Sequence, residues 1–352
     1  MKTRTHLLGM LATTVLGLAM AYPASAQESQ QGAGTVRTPA STLDVVKERG
    51  VLNCGVIGSA PNFSLPDSQG VMRGLDADLC RAVATAVLGD PNKVKFVSLT
   101  PAQRLVAVQS GEVDVAFAQI TWTLTRESKA GVQFPGTYFF DTYGIMVPKV
   151  LGVNSVKQLD DASICIVAGP GETNLGEFFG KHKLRYKPVP FSDGEQLRRS
   201  FLANRCDAVF HSLAALAAFK GTLGPKGNDY ILLEDTHALE PLAGAVRKGD
   251  PRWYDVVQYT LNAMINAEEL GIDSKNIDKF RDSKDPNVQR LLGTSGDLGQ
   301  SLGLSNDWAA QIVAKVGNYG EAFERNLGVT GMPRGKNRLA ENGGLLYAIP
   351  MR

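Results

Sequence analysis

Between Val113 and Arg126 the chain reads Val-Asp-Val-Ala-Phe-Ala-Gln-Ile-Thr-Trp-Thr-Leu-Thr-Arg. The alternating run Val113 to Ala118 predicts a short strand, and the polar turn after it carries Gln119, Thr121, Thr123 and Thr125 before ending on Arg126. Hydroxyls, loop amides and a guanidinium would then meet at the carboxyl end of a strand, where open α/β sheets seat their ligands. A planar guanidinium meets a carboxylate through two parallel N–H···O bonds, which an ammonium cannot do. The segment therefore reads as a carboxylate clamp in a binding cleft. The competing reading of an isolated arginine, a surface ion pair, is outweighed by the residues around this one.

Other chemistry is weaker. Gly169-Pro170-Gly171 lacks the Gly-Lys-Ser/Thr of a phosphate loop, and its proline removes an amide donor. The histidines His6, His182, His211 and His237 show no metal-ligand spacing, and only His211 is expected at the cleft, either as a ligand contact or bonded to backbone. His211, Ser212 and Glu172 would make an acid–base set only if they converged. No nucleophile elbow or Ser/His/Asp order accompanies them, so no catalytic residue is assigned.

The ends and the composition narrow the classes further. Lys2, Arg4 and His6 precede the apolar run Leu7–Ala21, and Ala24-Ser25-Ala26 supplies a small-residue cleavage site. Residues 1–26 are therefore expected to be a signal peptide, with an apolar run short for a membrane span; a retained N-terminal anchor is the competing reading. Removing Lys2 and Arg4 leaves 37 − 2 = 35 basic residues against 35 acidic ones. An exported, neutral chain has no electrostatic footprint for nucleic acid, and no basic amphipathic helix offers a membrane surface. Cys54, Cys80, Cys165 and Cys206 favour disulfides over zinc, since no CxxC pair or nearby histidine joins them. Three connectivities are possible. Chain order favours 54–80 and 165–206, each inside one of the lobes described next.

The elements that must position these residues follow two similar patterns. Residues 27–41 are polar and small and read as a disordered leader. After them come a helix from Thr42 to Gly50, a strand Val51–Ile57 and a helix with Leu75, Leu79, Val83 and Val87 on one face. A strand Val94–Leu99 follows, then a helix capped by Thr100-Pro101-Ala102-Gln103 and stopped at Gly111. Later, a strand Ser163–Val167, a glycine turn opening a helix through Phe179, an extended Tyr186–Pro190, a helix Asp193–Ala203 and a strand Cys206–Phe210 repeat the theme. A final helix spans Trp253–Leu270. Short crossings at Tyr138–Gly144 and Glu240–Gly244 link the two units. The expected fold is an α/β two-lobe clamshell with two hinge crossings: lobe I from residues 42–140, lobe II from 145–240, and 245–352 completing lobe I with a C-terminal extension.

The chain resembles the periplasmic amino-acid-binding proteins of ABC importers, and within them the long general L-amino-acid-binding subfamily of the type II periplasmic-binding-protein fold. The resemblance rests on Gly74-Leu75-Asp76-Ala77-Asp78-Leu79-Cys80, Gln109-Ser110-Gly111-Glu112-Val113-Asp114-Val115, and Thr121-Trp122-Thr123 with Arg126. It also rests on Leu304-Ser305-Asn306-Asp307-Trp308-Ala309 and Val316-Gly317-Asn318-Tyr319-Gly320-Glu321, and it covers nearly the whole mature chain. All four cysteines fall where that subfamily has them. The resemblance implies a monomeric periplasmic receptor without cofactor, metal or chemistry of its own. Its partners would be a small carboxylate or amino acid and a membrane ABC permease.

In such proteins the ligand α-carboxylate is held by an Arg, a Thr and loop amides, roles that map onto Arg126, Thr121, Gly169 and Gly171. The α-amino group usually meets a carboxylate at the strand end where this chain has Ser212. The family's Ser-Gly-Thr-Thr turn is replaced by Ala168-Gly169-Pro170-Gly171, and the residues before Thr-Trp-Thr are Ala118, Gln119 and Ile120. A buried ammonium without a carboxylate is costly. Glu172 is the nearest carboxylate in sequence to supply it, against the competing reading of a helix N-terminal acid. Asp141 and Glu240, at the crossings, are further alternatives. The ligand set is thus Arg126, Thr121, Gln119, Gly169, Gly171, Glu172, His211 and Ser212. Other functional readings are a receptor for a non-amino carboxylate, a sensory receptor, or a dehydratase-like enzyme on the same fold.

Overall fold

Apolar and β-branched runs bounded by glycine, proline and asparagine become the strands of the computed structural model, which describes residues 40–352. In chain order these are β1 Leu52–Val56, β2 Leu65–Pro66, β3 Met72–Arg73, β4 Val94–Ser98, β5 Val115–Thr121 and β6 Val132–Gln133. There follow β7 Thr137–Pro148, β8 Ala162–Val167, β9 Tyr186–Phe191, β10 Ala208–Ser212, β11 Tyr230–Leu232 and β12 His237–Arg247. The expected signal peptide, residues 1–26, and the leader up to residue 39 lie outside the described residues. Ser41, counted with that leader, belongs to the fold. It caps the helix Thr42–Arg49, and its hydroxyl donates to Asp250.

Ten strands share one sheet in the order β4-β1-β5-β12-β7-β10-β8-β9, with β6 beside β12 and β11 beside β7. Two parallel wings, β4-β1-β5 and β10-β8-β9, flank the antiparallel pair β7 and β12. β7 bonds β12 from Thr137 to Tyr143 and then β10 from Tyr143 to Met146, so it passes from one wing to the other. β12 likewise bonds β7 from His237 to Ala243 and β5 from Leu242 to Ala245. The two crossings expected from sequence are these strands. Parallel strands need helical crossovers, and the helices Leu75–Leu88, Arg104–Ser110, Pro170–His182 and Gly194–Leu202 supply them.

Two local expectations need correction. The helix expected to start at Thr100-Pro101 begins at Arg104 instead. Gln103 Oε1 accepts the Thr100 N–H at 3.0 Å, but the Thr100 hydroxyl donates to the same oxygen instead of capping a helix amide. The turn expected at Gln119 is still strand: β5 runs to Thr121, with Gln119 at φ 52° as an irregularity within it. Arg126 then sits on a short helix, Leu124–Lys129, whose Thr123 cap accepts the Arg126 N–H.

Each wing has apolar packing on both faces. Trp253, Trp308, Tyr319, Phe63 and Phe323 pack on one side of the first wing, and Leu99, Val108, Ile120 and Phe134 on the other. Phe178, Phe179 and Phe210 cover one face of the second wing, with Leu197, Phe201, Leu216 and Phe219 on the other. The disulfides are Cys54–Cys80, with Cα atoms 6.0 Å apart, and Cys165–Cys206, at 5.6 Å. The first ties β1 to the helix behind it; the second ties β8 to the residues entering β10. The C-terminal segment grips β7: Tyr319 donates to the Tyr138 carbonyl at 2.7 Å, and Asn337 bonds both the N–H and the carbonyl of Phe140. β7 is thus held on each side of the residue that precedes Asp141.

Candidate ligand-binding site

A cavity of about 330 Å³ opens at the carboxyl ends of β1, β4, β5, β8 and β10, with β7 and β12 as its floor. That volume suits a small organic ligand. Of the residues expected from sequence, Gln119, Thr121, Gly171, His211 and Ser212 line it, while Arg126, Gly169 and Glu172 do not.

Glu172 is exposed, and its Oε2 accepts the Gly169 N–H at 2.9 Å, closing the first turn of the helix Pro170–His182. This is the geometry of a helix N-terminal acid, with the carboxylate turned to its own helix and not to the cavity. The same bond engages the Gly169 amide, and Gly169 at φ 98° serves the turn. His211, Ser212 and Glu172 do not converge on one point as an acid–base set, because Glu172 faces solvent. Gly171 does reach the cavity, and its first-turn amide has no helical acceptor.

Arg126 lies beside the cavity wall. Its guanidinium donates to the Thr121 carbonyl at 2.5 Å, and burial lowers its pKa while the nearby Tyr143 and Glu240 raise it. Arg104, which sequence reasoning missed, lines the cavity at 7 % exposure and donates to the carbonyls of Ala118 and Gln119, each at 2.7 Å. Burial, and then Arg126, bring its pKa down to about 10, so it stays charged at neutral pH. Arg198 also lines the cavity, and its Nη2 donates to the Ser59 carbonyl at 3.2 Å. None of these three arginines is ion-paired among the described residues.

Ser212 ends β10 and caps the helix Leu213–Thr222, accepting the Ala215 N–H at 3.2 Å. Its hydroxyl also donates to Asp141 Oδ2. Asp141 Oδ1 accepts the N–H groups of Thr142, at 2.8 Å, and Ala214, at 3.4 Å. Burial pushes the Asp141 carboxyl up to about 6, the hydrogen bonds opposing and Glu240 adding to the rise. His211 is pushed down to about 4, chiefly by burial and then by Arg198 and Arg104, so its ring is neutral at pH 7. His211 Nδ1 and Gln119 Nε2 are buried without a partner in the protein. No group of three or more metal-ligating side chains occurs among the described residues.

A model of the bacterial extracellular solute-binding proteins, family 3, matches residues 52–275, which hold every lining residue of this cavity. The chain belongs to that family. As a family 3 solute-binding protein it is 41 % identical over 326 residues to the general L-amino acid-binding periplasmic protein AapJ of Rhizobium johnstonii, covering 91 % of this chain and 95 % of that one. It is 42 % identical to the glutamate/glutamine/aspartate/asparagine-binding protein BztA of Rhodobacter capsulatus, covering 89 % of this chain and 94 % of that one. The structure of an ABC transporter periplasmic binding protein from Brucella ovis with glutathione bound superposes with a TM-score of 0.86 at 42 % identity, over 89 % of this chain and 100 % of that one.

Arg104 and Arg198 escape the sequence reading for different reasons. Arg104 falls on a helix whose start was misplaced, and its signal was a lone basic residue among positions that pack inward. Arg198 sits on a helix rich in charge, and nothing in its spacing separates it from Arg199 beside it. Asp141 and Glu240, the alternatives to Glu172, both line the cavity; so do Asp193, which caps the helix Gly194–Leu202, and Glu195, which is paired with Arg199.

Proposed function

We propose that this family 3 solute-binding protein is the periplasmic receptor of an ABC importer and captures an amino acid or related small carboxylate in the cavity between its wings. The observation that carries the reading is the pair Arg104 and Arg126. Arg104 is buried and Arg126 half-buried, they lie close enough that Arg126 depresses the Arg104 pKa, and neither is ion-paired among the described residues. Two neighbouring guanidinia without a counter-ion, one of them desolvated, repel each other and favour an anion that joins them. A carboxylate meets such groups in a bidentate manner, and Thr121 and the Gly171 amide add neutral donors.

The relatives support the class, since two of their names specify amino acids and the solved structure holds glutathione. The two wings would act as the lobes expected from residues 42–140 with 245–352, and from 145–240, closing about β7 and β12. Ligand then stabilises the closed form by mass action, and that form docks on the permease. The protein works without a cofactor and without chemistry of its own, as a monomer, after export and removal of residues 1–26.

A thermal-shift screen of the exported chain against amino acids, keto acids, dicarboxylates and glutathione, followed by calorimetry, tests the reading. At least one carboxylate is expected to raise the melting temperature, and Arg104→Gln to weaken it by about 30-fold or more, since a desolvated charge pair loses one partner at about 2–5 kcal/mol. A screen in which no carboxylate binds overturns it.

A further inference from the structure

The cavity holds a second charged group, opposite in sign to the arginines, that the receptor reading leaves without a role. Asp141 on β7 and Glu240 on β12 are cross-strand partners, so their side chains share one face of the sheet, and both line the cavity. They are 5 % and 9 % exposed. Neither is ion-paired among the described residues, and the Glu240 carboxylate accepts no hydrogen bond there. Two buried carboxylates side by side, neither with a cationic partner, favour a cation that joins them. Burial raises the Asp141 pKa, and Glu240 adds to the rise.

Capping explains part of this arrangement. Asp141 accepts the Ala214 N–H in the first turn of the helix Leu213–Thr222, where an acid is favoured by the helix dipole. Glu240 touches no helix end, and it is the one left without a partner. Meanwhile Arg126 feels Glu240 without pairing with it. With Arg104 in the cavity lining and Arg126 beside it, charges of both signs sit at one cavity, unjoined, which suits a ligand whose carboxylate and ammonium are a few atoms apart.

We infer that Asp141 and Glu240 receive the ligand's ammonium group, with Ser212 as the residue that positions Asp141, so that the cavity selects amino-bearing carboxylates over their keto and hydroxy counterparts. The inference rests on the receptor reading above and names its ligand class. Ser212 stands at the strand end, yet the charge is supplied from the neighbouring strand: β10 pairs Ser212 with Tyr143, two residues from Asp141, and the serine hydroxyl reaches across to that carboxylate. A hydroxyl there donates where a carboxylate would repel. A ligand without an ammonium leaves two desolvated acids unneutralised, which is a penalty against the wrong ligand as well as a gain for the right one.

Matched pairs decide the matter by calorimetry: L-glutamate with 2-oxoglutarate, L-leucine with 4-methyl-2-oxopentanoate, and L-phenylalanine with phenylpyruvate. The amino member of any binding pair is expected to bind at least 100-fold tighter than its keto acid. Asp141→Asn and Glu240→Gln should each weaken the amino member at least tenfold while leaving the keto acid within about threefold. Ser212→Ala should raise the pH below which amino-acid affinity falls, because Asp141 loses a donor that favours its charged form, whereas a purely structural serine would leave that pH unchanged. If Asp141→Asn fails to fold, Glu240→Gln decides alone, since Glu240 holds no internal hydrogen bond. Keto acids that bind as tightly as amino acids and depend on Arg104 overturn the inference and leave the receptor standing. Amino-acid binding untouched by both acidic variants overturns it too, and a panel in which neither set binds removes the receptor reading with it.

Discussion

Arg198 Nη2 donates to the carbonyl oxygen of Ser59, 3.2 Å away, and so joins the helix after β9 to the loop after β1. These are elements of the two different wings, and both residues line the cavity. The bond therefore favours the closed arrangement. Because Arg198 is only half-buried, its contribution is about 1 kcal/mol, below the usual range for a charged donor. Arg198→Ala should weaken ligand binding by about fivefold and increase the radius of gyration of the ligand-free protein in X-ray scattering. Unchanged affinity and unchanged size would remove Arg198 from closure.

Asp141 makes ligand binding depend on pH with a defined sign. Its carboxyl titrates near 6 in the free protein, facing Glu240 from β12, the Ser212 hydroxyl, the amides of Thr142 and Ala214, and Tyr143 on its own strand. An ammonium ligand favours the charged form, so binding should release a proton as pH falls toward 6 and below. Affinity should then drop by up to tenfold per pH unit under that value. Calorimetry at pH 5.5 in buffers of different ionisation enthalpy measures the released proton directly. Enthalpies independent of buffer would show that Asp141 does not change its protonation on binding.

Asp76 carries a stability signature instead. It is fully buried, Tyr138 donates to its Oδ1 at 2.7 Å, and its Oδ2 has no partner in the protein. Burial pushes its pKa to about 8, with Tyr138 and then Arg104 opposing. A folded-state pKa above the unfolded 3.8 means the folded chain binds the extra proton. The stability from Asp76 is complete below the unfolded value and lost as pH rises toward 8. Asp76→Asn, which cannot ionise, should match the parent protein near pH 4 and melt progressively higher than it up to pH 8. Parallel melting curves across that range would place the charge elsewhere.

Cys54–Cys80 and Cys165–Cys206 close loops of sequence separation 26 and 41. On the chain-entropy account each is worth about 3.5–4 kcal/mol. The double variants Cys54→Ala/Cys80→Ala and Cys165→Ala/Cys206→Ala should each move the urea midpoint down and raise the slope, because the unfolded chain without its cross-link exposes more surface. All four sulfurs are buried, so reductant should act on the native protein only as fast as it opens.

The fold was legible because its signals are local. Leu75, Leu79, Val83 and Val87 mark one buried face, and the helix runs Leu75–Leu88 as their spacing requires. Asp193 caps the helix Gly194–Leu202, and Asp250 with Pro251 opens the helix through Glu269. The element ends were less legible where two bonding patterns compete. Gln103 serves Thr100 from a turn as readily as from a helix, and β5 runs three residues past Ala118 because β12 supplies partners to Ile120 and Thr121.

The sequence by itself determined the two α/β patterns, the crossings between them, the four cysteines and the family. Periodicity, capping and spacing act over a few residues and are written in chain order. Only the tertiary structure decided which charges meet in the cavity. Glu172, close to the glycine turn in sequence, is spent on its own helix, while Asp141 and Glu240, 99 positions apart as 240 − 141, become cross-strand neighbours. Arg104 comes close to Arg126 because its helix packs beside the short helix that follows β5, and that packing buries Arg104 and half-buries Arg126. Charge pairing depends on distance and on loss of solvent, and both are properties of the folded chain.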